Sequence, residues 1–248
     1  MRDVSTELTV RQGTYAGGMH LIVLWDIDHT LIDNAGVSKE IYAAAFAALA
    51  GAAPTGAAST EGRTDRLIMR EMFRRHGLPE PGWSDVESAL AEAGAQRLGE
   101  LRRRGTALPG VRDALKAVSE QDGWVSSVLT GNIAANARVK LAAFGLDPLL
   151  DLRVGAYGAD AVDRPDLVGI ARQRVHQLRG LPTDTPVVLV GDTPRDVEAA
   201  LVAASGIIGV ATGIHSRDEL VSAGAPVVLP DLSDTAGLLR LLTSFAGR

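Results

Sequence analysis

The sequence predicts an α/β protein: a doubly wound parallel sheet, interrupted after its first strand by a long helical insertion. Short, continuously apolar runs alternate along the chain with segments of helical periodicity, the pattern of a parallel sheet covered by helices. Between residues 34 and 105 the alternation stops, and only helical segments occur. The chain has 248 residues, of which 46% are hydrophobic and 22% charged, enough for a main domain with a second domain inserted into it.

The first strand is Leu21 to Trp25, an unbroken apolar run of the kind found in parallel strands that are buried on both faces. Residues 1–18 are polar and contain glycine, and we expect them to be a flexible extension whose removal leaves activity intact. The insertion at 34–105 is predicted to hold three helices separated by turn-forming residues. These helices are expected at 37–50, 64–76 and 84–104.

Residues 106–248 return to alternating strands and helices, and with residues 19–33 they form the predicted core. Helices are expected at 111–121, from 132 to near Gly145, at 166–179 and from Pro194, a residue suited to a first helical turn. Strands are expected at 124–130, 152–155, 187–190, 207–210 and 227–229.

Composition favours a small-molecule partner. The formal net charge is -5 and no long basic run occurs, which argues against binding to nucleic acids or anionic membranes. The absence of cysteine excludes disulfides and thiol chemistry. No stretch has the features of a secretion signal or a membrane span, so we expect a soluble, cytoplasmic protein. The sequence does not discriminate between a monomer and a homodimer.

Two carboxylates stand directly after the first strand. Asp26 and Asp28, followed by Thr30, lie where open α/β sheets bind ligands, at the carboxyl end of a strand. Like charges this close resist joint ionisation, so the pair would either hold a cation or let one member carry a proton. The alternative is a polar turn in which Asp28 or Thr30 caps the next element.

A second polar segment, Thr130-Gly131-Asn132, follows the next core strand. Its hydroxyl and its backbone N–H groups at the start of a helix would together form an anion site. An ordinary turn between a strand and a helix is an equally good interpretation of the tripeptide by itself.

A third polar segment holds Asp192 and Asp196, which are one helical turn apart and can face the same direction. Gathered carboxylates need a cation, and oxygen ligands favour a hard one, with Mg²⁺ as the default. The alternative is that Asp192 caps the helix beginning at Pro194 and Asp196 is a first-turn acid favoured by the helix dipole.

Together these segments resemble the haloacid dehalogenase-like hydrolase superfamily. The first motif of that family, Asp-x-Asp-x-Thr, matches Asp26 to Thr30, and its second, a Ser or Thr that ends the next strand, matches Thr130. Its fourth, Gly-Asp followed by another Asp, matches Asp192 with Asp196. The resemblance covers nearly the whole chain, and it implies a Rossmann-like core with the insertion at 34–105 as a type 1 helical cap.

The chain departs from the family pattern at two positions. Arg164 stands where the third motif normally has a lysine; it keeps the charge and can grip a phosphate with two N–H groups, but the two cations are not interchangeable. His29 stands where many members have glycine, and we expect it to be a tolerated loop residue or a substrate contact. Lys140, in the helix after Thr130, is assigned to the surface, although it is the nearest lysine if Arg164 does not take the place of the third motif.

The resemblance implies a mechanism as well as a fold. Asp26 would attack phosphorus and become an aspartyl phosphate, while Asp28 would act first as general acid and then as general base. Asp192, the Asp26 carboxylate and the backbone carbonyl of Asp28 would hold Mg²⁺, with Asp196 as a ligand or a partner of a ligand. Thr130 and Arg164, with the segment residues Thr30, Gly131 and Asn132, would bind the phosphate.

The substrate is expected to be a small phosphorylated metabolite, because a cap inserted after the first strand encloses a small cavity. Phosphoglycolate-type phosphatases are the general resemblance, and Arg63 in the insertion could bind a second anionic group or simply lie in solvent at a helix start. Two alternatives share the fold: a phosphomutase resembling β-phosphoglucomutase, and a phosphonate hydrolase. A third, of another class, is a catalytically silent binding or regulatory protein.

Overall fold

The structure is a computed structural model that describes residues 19–247, so the predicted extension at 1–18 lies outside the described residues. Its core is a five-stranded sheet in the order β4-β1-β5-β6-β7, in which every neighbouring pair is parallel. The strands are β1 (Leu21–Trp25), β4 (Trp124–Val128), β5 (Val187–Gly191), β6 (Gly206–Val210) and β7 (Val228–Leu229). The predicted parallel α/β fold is confirmed.

Helices cover both faces of this sheet. They are α5 (Val111–Ser119), α6 (Ala134–Ala143), α7 (Arg164–Arg179), α8 (Pro194–Val202), α9 (Arg217–Ser222) and α10 (Thr235–Ala246), with a 3₁₀ turn at Asp147–Leu149. Along β1, Val23 and Trp25 pack with α5, α6 and α10, whereas Ile22 and Leu24 pack with α7, α8 and α9. Because successive side chains of a strand point to opposite faces, burial on both faces requires the unbroken apolar run.

Residues 34–105 add four helices whose apolar side chains pack mainly against one another. These inserted helices are α1 (Val37–Ala50), α2 (Asp65–Arg75), α3 (Trp83–Gln96) and α4 (Leu98–Arg104). Their buried residues form one cluster, in which the rings of Phe46 and Phe73 lie 4.8 Å apart. A two-residue antiparallel pair, β2 (Ile32–Asp33) with β3 (Thr106–Ala107), brings the two ends of the segment together. The assignment of residues 34–105 to a separate domain stays a prediction.

Two of the predicted elements are wrong. The single helix expected at 84–104 is two helices, because the chain leaves helical geometry at Arg97 before α4 begins. The strand expected at 152–155 is absent: the Asp151 carboxylate accepts from the backbone N–H of Arg153, and this local turn competes with extended structure. Next to this segment, Ala156 forms an isolated bridge to Leu129. Among the described residues, no helix combines the length and the apolarity that a membrane span needs.

Candidate active site

The strand order brings the three predicted polar segments to one edge of the sheet. Trp25, the last residue of β1, pairs with Val128 of β4 on one side and Val190 of β5 on the other. The residues that follow these strands therefore emerge side by side, as parallel strands require. They surround a cavity of about 220 Å³ whose lining includes Asp26, Asp28, His29, Arg63, Thr130, Gly131, Asn132, Arg164 and Asp192.

Asp26 directly follows β1, and its side chain is almost completely buried. The guanidinium of Arg164 approaches its Oδ1 atom to 2.8 Å. Burial raises the pKa of Asp26 to about 7, and the nearby charges of Asp196 and Asp28 act in the same direction, although Arg164 opposes them. Arg164 is the first residue of α7, and its Nε atom has no hydrogen-bond partner among the described residues.

Three buried carboxylates form the only cluster in the described part of the chain that is suited to a metal ion. Asp26, Asp192 and Asp196 each place an oxygen within 4.8 Å of the other two. Burial, together with the charges of Asp26 and Asp196, raises the pKa of Asp192 well above its usual value. A set of oxygen ligands whose charges repel one another fits a hard divalent cation such as Mg²⁺.

Asp196 differs from the other two carboxylates because both of its oxygens are occupied. Its Oδ1 atom accepts from Arg164 at 2.5 Å, and its Oδ2 atom accepts from the backbone N–H and the hydroxyl of Thr193. Thr193, and not Asp192, is the N-cap of α8, and with Asp196 it forms a capping box. Asp192 thus keeps its carboxylate for the cavity, while Asp196 caps the helix and orients Arg164.

The carboxylate of Asp28 also lines the cavity, and it accepts four hydrogen bonds. Oδ1 accepts from the Asn34 amide at 2.7 Å and from the Ser38 hydroxyl at 3.3 Å. Asn34 lies just before α1, and Ser38 lies in its first turn. Oδ2 accepts from the Asn132 amide at 2.8 Å and the Lys140 ammonium at 2.6 Å. Burial works against its charge, but Lys140 and these donors lower the pKa of Asp28 to about 2.

Lys140 is buried, so its assignment to the surface is wrong. Only 1% of its side chain is exposed, and the ammonium donates to Asp28 and to Oδ1 of Asn132. The signal lies in the helix periodicity, because Lys140 shares the spacing of the buried residues Ile133, Ala137 and Leu141. A lysine at a position on the apolar face requires a buried partner, and Asp28 supplies it.

The segment after β4 is tightly enclosed. The buried Thr130 hydroxyl accepts from the side-chain amide of Asn132 at 2.7 Å. A Cβ atom on Gly131 would collide with the carbonyl oxygen of Arg63, and one on Gly158 would collide with the carbonyl oxygen of Gly131. Only glycine therefore permits the loop that carries Arg63 to lie directly on this segment.

Two further predicted residues have distinct positions. Thr30 does not line the cavity: it is fully buried behind it, and its hydroxyl donates to Oδ1 of Asp192 at 3.0 Å. His29 lines the cavity with a backbone φ of 62°, and its carbonyl accepts from Thr212. The sequence reasoning did not select Asn34, Ser38 and Tyr42, which also line the cavity; all three lie at or near the start of α1, directly after the first motif.

Comparison with known proteins agrees with this geometry. Residues 23–201 match the profile of the haloacid dehalogenase-like hydrolase family. A protein named Probable phosphatase IndB, from Dickeya dadantii (strain 3937), is 33% identical over 145 residues, covering 56% of this chain and 60% of that protein, less than two thirds of its length. Phosphoglycolate phosphatase from Pseudomonas fluorescens (strain Pf0-1) is 26% identical over 230 residues, covering 88% of this chain and 79% of that one.

A solved structure has the same fold. The crystal structure of a hydrolase from Pseudomonas syringae superposes with a TM-score of 0.64 at 24% sequence identity, covering 90% of this chain and 99% of that one. At this identity the likeness concerns the fold, whereas the match to the family profile covers well over half of the sequence. The chain belongs to the haloacid dehalogenase-like hydrolase family, as the resemblance of its motifs indicates.

Proposed function

We propose that the protein is a Mg²⁺-dependent phosphatase that hydrolyses small phosphate monoesters through an aspartyl phosphate at Asp26. The observation that carries the proposal is the division of the cavity between two kinds of carboxylate. Asp26 and Asp192 lie in a buried cluster suited to a metal ion, whereas Asp28 lies in a network of neutral and cationic donors. Family membership and the names of the two relatives support the same activity.

Asp26, Asp192 and the backbone carbonyl of Asp28 would hold the metal ion. Asp196 would act through Arg164, since its own oxygens are already engaged. When bound, Mg²⁺ supplies positive charge that neutralises the phosphoryl oxygens. Arg164, whose Nε atom is free of protein partners in the described chain, would donate to the same oxygens together with the Thr130 hydroxyl and the N–H groups that follow it.

In the first half of the reaction, an Asp26 oxygen would attack phosphorus as Asp28 donates a proton to the leaving oxygen. In the second half, Asp28 would take a proton from the water that hydrolyses the aspartyl phosphate. The hydrogen bonds to Asp28 stabilise its carboxylate, which is the form that the second half requires; in the first half Asp28 must carry its proton against this preference. Asp26 supplies the nucleophile, and the Asp28 side chain supplies both proton transfers.

The cavity limits the size of the substrate. Its volume of about 220 Å³ lies below the roughly 300 Å³ at which pockets for drug-sized ligands begin. Helix α1 contributes Lys39 and Tyr42 to the lining, and the loop before α2 contributes a second basic residue, Arg63. The Arg63 side chain makes no hydrogen bond to any described residue. We therefore favour a small monoester with a second anionic group, a class that includes the substrate named for one relative.

The test is phosphate release from a panel of small monoesters, with and without Mg²⁺, comparing the wild type with Asp26→Asn. Asp113→Asn is the matched control, because Asp113 is an exposed acid on α5. We expect metal-dependent release that Asp26→Asn abolishes and Asp113→Asn leaves unchanged. Conversion of a sugar phosphate without release would indicate a mutase, and no turnover of any substrate would indicate a silent binding protein.

A further inference from the structure

Lys140 is the one lysine among the described residues that is buried, and it lies in the site rather than on the surface. A buried ammonium loses its hydration, and the fold is destabilised unless a carboxylate and hydrogen bonds offset that loss. Here the compensation comes from Asp28, 112 positions away in sequence, at 2.6 Å. The site thus holds two buried cations with separate partners: Arg164 contacts Asp26 and Asp196, and Lys140 contacts Asp28.

Lys140 also determines which way the Asn132 amide faces. Its ammonium donates to Oδ1 of Asn132 at 2.6 Å, and an ammonium has no acceptor to offer. The Nδ2 group must therefore face the other way, where it donates to Asp28 at 2.8 Å and to Thr130 at 2.7 Å. Lys140 and the Asp28 carboxylate thus fix the amide together, because the ammonium binds its oxygen and the carboxylate binds its N–H group.

We propose that Lys140 is a positioning residue for the proton-transfer step: it holds the Asp28 carboxylate, directly and through Asn132, in the one orientation that serves the leaving oxygen. The proposal rests on the phosphatase function proposed above. Because Lys140 acts through Asp28, its contribution should follow the demand for a proton. An alkoxide leaving group needs general acid catalysis, whereas p-nitrophenolate departs without it.

The first experiment compares Lys140→Met, which keeps a similar length without the charge, on an alkyl phosphate and on p-nitrophenyl phosphate. We expect kcat/KM, which reports only the steps up to departure of the alcohol, to fall by about 10²–10⁴-fold on the alkyl ester and by less than about 10-fold on the aryl ester. Asp28→Asn should show the same dependence on the leaving group, and the double variant should lose little more than either single one. Equal losses on both esters would overturn the proposal.

The absence of cysteine from the chain allows a second experiment that does not depend on the stability of the methionine variant. Lys140→Cys provides a single thiol, which 2-bromoethylamine in denaturant converts into a thioether analogue of lysine before refolding. We expect the aminoethylated protein to recover the alkyl-ester rate, and the same variant carboxamidomethylated with iodoacetamide not to recover it. Refolded wild type is the control for the procedure.

Recovery by both adducts, or by neither when the refolded wild type is active, would contradict the role of the ammonium. Failure of the phosphatase function itself has a different signature, since the untreated wild type would then release no phosphate from any ester.

Discussion

The hydroxyl of Tyr42 donates a 2.6 Å hydrogen bond to the buried carboxylate of Asp65. The other oxygen of that carboxylate accepts from the backbone N–H of Ile133 at 2.7 Å, and the backbone N–H of Asp65 donates to the carbonyl of Gly131. Tyr42 belongs to α1 and Asp65 begins α2, whereas Gly131 and Ile133 flank Asn132 after β4. This one side chain therefore joins the inserted helices to the segment that lines the cavity.

The ionisation of Asp65 should make stability depend on pH. Burial raises its pKa from the usual 3.8 to about 6, although Tyr42 and Ile133 oppose the shift. Because the folded state holds the proton more tightly, this carboxylate contributes stability below pH 3.8 that is lost as the pH rises through 6. Each unit of pKa difference corresponds to about 1.4 kcal/mol, and part of the effect lies below pH 4, so the wild type should lose about 2 kcal/mol relative to Asp65→Asn between pH 4 and 7.

Urea unfolding of both proteins across this pH range measures that difference. The carboxylates at the cavity are common to the two proteins, so their titration cancels in the comparison. A difference in unfolding free energy that stays constant from pH 4 to pH 7 would show that Asp65 does not titrate in this range.

The close approach at Gly131 predicts a contrast between two glycine substitutions. Gly131→Ala places a methyl group against the Arg63 carbonyl, and we expect a loss of about 1–3 kcal/mol in stability and of about 10–100-fold in kcat/KM. Gly169 lies exposed within α7 with open space around it, so Gly169→Ala should gain about 0.5–1 kcal/mol and keep full activity. Thermal unfolding with steady-state kinetics tests both; equal behaviour of the two variants would contradict the packing argument.

The sequence was sufficient to predict most of the sheet and the position of the catalytic edge. The apolar run of β1 has the predicted bounds because it is buried on both faces, and α1 has them because Gly51 ends it. The aspartates at this edge could be identified because they follow apolar runs, which mark the ends of buried strands in the sequence. The roles assigned to them by resemblance remain predictions.

The residues that the sequence did not identify depend on contacts between distant segments. Nothing near Lys140 in sequence indicates that Asp28 compensates its charge, and nothing near Thr30 shows that its hydroxyl faces Asp192. The turn at Asp151 replaced a strand because one side-chain hydrogen bond competes with extended structure. The helices α9 and α10 were not predicted at all. Periodicity reports which face of an element is buried, but not which partner it meets.

The hydrogen bond from Thr30 to Asp192 predicts an effect on metal affinity rather than on chemistry. Thr30→Val removes the donor that orients Oδ1 of Asp192. Losing such a partner of a ligand typically weakens metal binding about 10–100-fold, so the Mg²⁺ concentration for half-maximal activity should rise by that factor while kcat at saturating Mg²⁺ stays nearly unchanged. The exposed Thr106 supplies a control variant, Thr106→Val. A fall in kcat with an unaltered Mg²⁺ dependence would argue against this role.

The position of Arg164 between two buried carboxylates predicts that its loss changes both the stability of the protein and its response to Mg²⁺. Its guanidinium bridges Asp26 at 2.8 Å and Asp196 at 2.5 Å, and Arg164→Met would leave the buried carboxylates without that cation. Removing one partner of a buried ion pair typically costs about 3–5 kcal/mol, so we expect the metal-free variant to unfold at a much lower temperature than the wild type.

Mg²⁺ should restore part of that loss, because it binds the folded carboxylate cluster and the repulsion it relieves is larger once Arg164 is gone. The increase in Tm on adding Mg²⁺ should therefore be greater for Arg164→Met than for the wild type. Arg153→Met is the matched control, since the exposed Arg153 pairs with Asp151 and neither residue lines the cavity, so its loss should leave the Mg²⁺ response unchanged. Equal Mg²⁺-induced shifts in all three proteins would mean that Arg164 and the metal do not share the same carboxylates.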